Sequence, residues 1–138
     1  MVKISAILFT LLLMALSAAA QSCKYDKNGV EDPPYVWAEY ELPSKTVHRL
    51  KGKVLDANDE PVPGTVVAVH QITSNGAKFI GSYEIDTDGK FCFGGLKKGK
   101  YQIKIGNQNF QRIVIEVNLE PMNKNADKNL LFNLEVGL

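Results

Sequence analysis

The sequence predicts an all-β protein, a seven-stranded antiparallel β-sandwich preceded by an irregular N-terminal arm. Three observations carry this expectation. Short runs alternate apolar and polar residues with a period of two, as half-buried strands do. The runs recur at roughly 8–15-residue intervals with turn formers between them. No stretch beyond residue 20 shows a helical period.

The chain opens with Lys3, an apolar run from Ile4 to Leu16, and small residues ending at Ala18-Ala19-Ala20. This pattern predicts a secretory signal peptide over residues 1–20, cleaved before Gln21. The apolar run falls short of the ~20 residues of a membrane span, so no transmembrane segment is expected. Ala20-Gln21-Ser22 ahead of Cys23 is a poor lipidation box. Cleavage leaves 118 of the 138 residues. It removes Lys3 from the 16 basic residues, so 15 remain against 15 acidic ones. A mature chain of net charge near zero is not steered toward nucleic acid or an anionic membrane. The expected location is therefore secreted or periplasmic.

Residues 21–46 are polar and irregular, broken by Asn28-Gly29 and Pro33-Pro34, and carry Tyr25, Tyr35, Trp37 and Tyr40. Within this arm, residues 35–42 are suited to an extra edge strand that Pro43 and Ser44 would end. The sandwich is expected over residues 47–138. Its first strand, about 47–55, puts Leu50, Gly52 and Val54 on one face, and the turn-rich segment 56–64 follows. The second, 65–72, puts Thr65, Val67 and Val69 on one face, and Val66, Ala68 and His70 on the other. A turn at Ser74-Asn75-Gly76 leads to the third, about 78–85.

The turn into the fourth strand, 90–93, can be argued in detail. A two-residue loop at Asp88-Gly89 would pair Asp86 with Phe91 and aim a carboxylate at the core. A three-residue loop, Thr87-Asp88-Gly89 with Gly89 left-handed, pairs Ile85 with Phe91 instead and sets Tyr83 and Ile85 on the Phe91 face. The second register is expected. Leu96 plugs the next corner, and Tyr101, Ile103 and Ile105 face inward from the fifth strand. Ile113, Ile115 and Val117 do so from the sixth, and Leu130, Phe132, Leu134 and Val136 alternate along the last. Cys92 falls on the outward side between Phe91 and Phe93. In an exported chain an even cysteine count predicts one disulfide, Cys23–Cys92, rather than two free thiols. It would tie the arm across the outside of a sheet.

Residues 52–69 and 86–105 resemble the carboxypeptidase regulatory-like domain, one of the prealbumin-like (transthyretin-like) sandwiches. Gly52/Val54, Pro61/Pro63/Gly64, Val67/Val69, Asp88/Gly89/Phe91/Phe93 and Leu96/Gly99/Tyr101 fill the family pattern in order, and Phe110 stands where such domains often carry an aromatic residue. The resemblance covers about residues 48–117. It implies a Greek-key sandwich of Ig-like architecture that serves as an accessory, structural or binding module. The arm with Cys23 is additional to the family pattern.

Candidate sites are few. Alternating strands would gather Asp56, Asp59, Glu60, Asp86 and Asp88, with Asn107 and Asn109, at one end of the sandwich. Calcium needs six to eight oxygens, yet Asp, Asn and Gly are also what tight turns use, so calcium is the one cofactor to consider. Tyr35, Trp37 and Tyr40 offer a stacking surface for sugar or peptide, or else pack the arm down. His48 and His70 both fall on expected strands beside no nucleophile or carboxylate motif, so no catalytic residue is assigned. The chain also ends without the Tyr-Arg-Gly-Ser motif of transthyretin-like hydrolases. Lys51 or Lys53 with Asn133 would suit an isopeptide only if buried, and all three fall on the outward parity. Lys97, Lys98 and Lys100 form a solvated corner. The expected function is non-catalytic: a binding or structural module of the cell envelope with a protein partner, engaged through an exposed strand edge and the arm. The alternative is a carbohydrate or small-ligand binder using the arm aromatics.

Overall fold

A computed structural model describes residues 23–36 and 38–134. The expected leader, Trp37 and the end of the last expected strand lie outside the described residues. Eight strands form: β1 (Glu39–Val47), β2 (Leu50–Leu55), β3 (Val66–Thr73), β4 (Gly76–Glu84), β5 (Lys90–Phe93), β6 (Gly99–Gly106), β7 (Arg112–Leu119) and β8 (Leu130–Asn133). A five-stranded sheet in the order β1-β7-β6-β3-β4 faces a three-stranded sheet in the order β5-β2-β8. The alternation read from sequence fills the space between them. Leu50, Val54, Val67, Val69, Phe91, Tyr101, Ile103, Ile115 and Phe132 are all buried there, and Phe91 stacks on Phe132 with ring centroids 6.2 Å apart. Each fully buried aliphatic or aromatic side chain contributes about 1.5–3 kcal/mol, so this layer supplies the driving force for folding. At its edge the buried Tyr101 hydroxyl donates to the Lys97 carbonyl at 2.6 Å, bracing the corner before β6.

Three expectations are corrected. The count is eight strands rather than seven, because the strand expected over 47–55 is split at His48 and Arg49 and β1 is built from the arm. Pro43 and Ser44 do not end β1: the strand passes through them with a register shift between Leu42 and Lys45, a bulge of the kind proline tolerates at a sheet edge. β1 therefore runs across the boundary expected at residues 46 and 47, and His48 lies in a corner rather than on a strand.

The sandwich is also not wholly antiparallel. β1 runs parallel to β7 and β2 parallel to β8. The cause is that β1–β2 and β7–β8 cross between the sheets side by side. At the crossing the Asp127 N–H donates to the Thr46 carbonyl at 3.0 Å, and the His48 N–H to the Asp127 carbonyl at 2.8 Å.

The third correction concerns the turn at 86–89. Gly89 is left-handed as expected, with φ +70°, and Ile85 and Phe91 are both buried. They do not pair, because β4 and β5 lie in opposite sheets and β5 pairs with β2. The turn is a corner between layers rather than the tip of a ladder.

The outer face of the five-stranded sheet is covered as well. Val66, Ala68 and Val114 point away from the core yet are buried, because the arm, residues 23–36, lies across this face. The sheet makes room with glycine: a Cβ at Gly81 would fall on the Tyr25 ring, and one at Gly106 on the Pro34 carbonyl oxygen. Gly106→Ala should accordingly lower stability by about 1–3 kcal/mol through overpacking, measured as a fall in the urea midpoint. An unchanged midpoint would mean that the arm is not seated on β6.

Candidate binding site

The arm starts at the small sheet and finishes at the far edge of the large one. Cys23 is bonded to Cys92, with 4.4 Å between their Cα atoms, and its carbonyl accepts the Gly94 N–H at 3.2 Å. The expected disulfide is thus present. Its cysteines are 69 residues apart, a loop whose closure stabilises by about 4 kcal/mol in the chain-entropy description. The Tyr25 ring then packs on Phe93, centroids 5.1 Å apart. Asp26 exchanges both backbone hydrogen bonds with Ser82 on the free edge of β4, at 2.8 and 2.9 Å.

Charge fastens the next stretch. Arg112, on the outward side of β7, is 8% exposed at its side chain. Its guanidinium donates to Asp32, to Glu39 and, at 3.2 Å, to the Pro33 carbonyl. Tyr35 lies over it with its ring centre 4.2 Å away. Burial works against the charge of Arg112, but Glu39 and Asp32 outweigh it and its pKa rises. Burial likewise pushes Asp32 up, and Arg112 with Lys104 outweighs it, holding the carboxyl below its usual 3.8.

His70, beneath the arm on β3, places Nε2 3.5 Å from Glu31, while its buried Nδ1 has no hydrogen-bond partner. Burial depresses its pKa below the usual 6.5; Lys104 adds to this and Glu31 opposes it. A histidine does therefore meet a carboxylate, but it does so under the arm. Neither residue lines the groove at Lys51 and Leu131 or the one at Lys98 and Met122.

The arm aromatics are not brought together. Tyr35 sits on the outer side with Arg112. Tyr40 lies level with Ile113 in the β1–β7 register and so points to the core side. Both are nearly half exposed, at 43% and 44%. Trp37 lies outside the described residues.

The aspartates act in turns. Asp56 Oδ1 accepts the N–H groups of Asn58 and Glu60 at 2.8 and 3.0 Å, Asp86 Oδ1 accepts that of Asp88 at 3.0 Å, and Asp59 takes a left-handed φ of 59°. Among the described residues, no three His, Cys, Asp or Glu side chains converge on a point that would hold a metal ion. Lys53 and Asn133 are exposed and Lys51 is half-buried, all on the outward side of the small sheet.

Two features of the small sheet complete the candidate site. Its outer face forms a groove of about 790 Å³, lined among others by Lys24, Arg49, Lys51, Lys53, Lys90 and Leu131. Among the described residues its last strand, β8, pairs with β2 alone, which leaves its other edge open. Leu134 donates to the Leu55 carbonyl at 2.8 Å, so the strand alternation turns the backbone groups of Leu131 and Asn133 outward. The other edges are blunted: β4 by Asp26, β5 by Cys23, and β1 by Pro43 and its bulge.

Sequence reasoning missed Arg112, Glu31, Asp32 and Glu39, the residues that hold the arm. A signal was present. Residues 66–69 and 113–115 are apolar without interruption, which marks strands covered on both faces.

Comparison with known proteins places residues 49–134 in the carboxypeptidase regulatory-like domain family. No curated protein matches the chain. Among solved structures, catechol 1,2-dioxygenase from Pseudomonas arvilla C-1 is similar with a TM-score of 0.43 and 14% identity, over 94% of this chain and 68% of that one. Hydroxyquinol 1,2-dioxygenase from Pseudomonas putida DLL-E4 gives 0.42 and 14%, over 90% and 71%.

Two outcomes are expected for the arm. Arg112→Gln leaves two carboxylates without their partner and should cost about 1–2 kcal/mol, reduced from the usual charged hydrogen-bond value by their exposure; urea titration measures it. Burial keeps the folded-state pKa of His70 below its unfolded value, so the unfolded chain binds more protons once the pH drops below 6.5. Stability should fall from there toward lower pH. Asp32 adds a further loss below 3.8. His70→Gln should remove the first phase alone. A wild-type profile flat between pH 6.5 and 5 would refute the assignment.

Proposed function

The chain belongs to the carboxypeptidase regulatory-like domain family, and from that membership we propose that it is a non-catalytic binding module of the cell envelope. It recognises a partner protein by accepting a strand of that partner on the open edge of β8. The observation that carries this reading is the contrast among the sheet edges. Three are blunted, while β8 pairs, among the described residues, with β2 alone and presents the outward backbone of Leu131 and Asn133 beside the Leu131 side chain, 61% exposed. An added strand would satisfy those backbone groups and cover that side chain, as in β-strand addition.

Export is supported by the leader pattern of residues 1–20 and by the disulfide, a bond that persists in oxidising compartments. Among the described residues no helix is long and apolar enough to cross a membrane. A stacking platform for sugar receives less support, because Tyr35 and Tyr40 point to opposite sides of the sheet.

The test begins with a photo-crosslinker at position 131 in the native envelope, followed by purification of the protein it captures. On mixing, that protein should slow hydrogen exchange at the Leu131 and Asn133 amides. Asn133→Pro, which removes an outward N–H and spares the bonds to β2, should weaken binding at least tenfold. Protection confined to the arm, or undiminished binding by Asn133→Pro, would overturn edge pairing.

A further inference from the structure

The cations of the small sheet are arranged against their own electrostatic interest. Lys53 on β2 lies directly opposite Lys90 on β5, a like-charge cross-strand pair that destabilises a sheet. Lys51 precedes it on the same side of β2, about 7 Å away along the strand, and Arg49, in the corner before β2, lines the same groove. Lys24, carried in by the arm beside the disulfide, lines the same groove. No carboxylate lines it, and among the described residues none of these cations joins an ion pair. The mature chain holds acids and bases in equal number, so its charge is segregated rather than in excess. Glu31, Asp32, Glu39 and Glu41 lie instead toward the opposite side, on and beside the arm.

We infer that this groove binds an anionic polysaccharide, a chain of sulfated or uronate sugars. The ligand must carry several negative charges spaced by a few ångströms, matching Lys51, Lys53 and Lys90. The floor is the face of a sheet whose backbone is already paired. The floor offers no unpaired backbone with which an acidic peptide could make a ladder and gain register, whereas a charged sugar chain needs only the spaced cations. The surface is concave and Leu131 is its one strongly exposed apolar side chain, which suits a polymer better than a lipid surface. Bound anions would also relieve the Lys53–Lys90 repulsion, so the ligand should stabilise the fold. The site borders the β8 edge at Leu131 but does not rest on strand addition there, since its cations stand on β2, β5 and the arm.

The test uses the oxidised mature protein with defined-length dextran sulfate and polygalacturonate, and neutral dextran as control. Binding of either polyanion, weakening steeply as salt rises, and an increase in Tm are expected; which polymer binds more tightly tells sulfate from carboxylate. The triple variant Lys51→Gln/Lys53→Gln/Lys90→Gln should fold with an equal or higher Tm and bind at least tenfold more weakly. Lys97→Gln/Lys98→Gln/Lys100→Gln, which removes the same charge elsewhere, should bind as wild type, and so should Asn133→Pro. Equal weakening by both triples would reduce the effect to net charge and overturn the site. So would binding of neutral dextran, or binding of polyglutamate, anionic vesicles or single-stranded nucleic acid in place of the polysaccharides.

Discussion

The pairing of Arg112 with Asp32 and Glu39 is the interaction on which the outer half of this structure depends. A guanidinium on the outward side of a strand would ordinarily reach into water. Here it is buried, and burying a cation is tolerable only when its donors meet acceptors. Asp32, Glu39 and the Pro33 carbonyl meet them; Asp32 and Pro33 belong to the segment that crosses the sheet, and Glu39 opens β1 directly after it. The arm and Arg112 are therefore conditions of each other. From that contact follow the burial of Val66, Ala68 and Val114, the burial of His70 with its Nδ1 unpartnered, and the placement of β1 beside β7 rather than elsewhere.

The two ends of the arm are fastened by unlike means. The disulfide at Cys23 is indifferent to salt and responds to reductant. The ion pairs at Arg112 and Lys104 respond to pH and ionic strength, with Asp32 and Glu39 partly open to solvent. Between them, contact with Gly81 and Gly106 is steric and responds to neither. The segment would thus loosen from one end or the other according to conditions, without the core being disturbed.

Much of the sandwich was legible in the sequence because alternation reports which face of a strand is buried, and Gly89, Phe91, Phe93 and Tyr101 occupy their expected roles. The disulfide was legible from cysteine parity and the outward position of Cys92. What escaped was relational. Nothing local to Ile85 and Phe91 says that the turn between them joins two layers; that depends on β5 finding β2. Pro43 and Ser44 looked like terminators because a bulge at an edge has no local signature distinct from a break. The holders of the arm escaped because Arg112 and Asp32 are 80 residues apart in sequence, and a charge pair of that separation is visible only once the strand order is known. The basic face was hidden for a related reason: Lys53 and Lys90 become neighbours only through the β2–β5 register.

The side-by-side crossing of β1–β2 and β7–β8 bears on the order in which the molecule assembles. Both parallel pairings join strands from opposite ends of the chain, so each must close a long loop before it gains anything, and such contacts form late. The hairpins β3–β4 and β6–β7 close short loops and can form first. The arm and β1 leave the ribosome before any of these strands; the start of the arm waits for β4 and β5, and Asp32, Pro33 and β1 wait for β6 and β7. The first part of the described chain to be made is among the last to find its place.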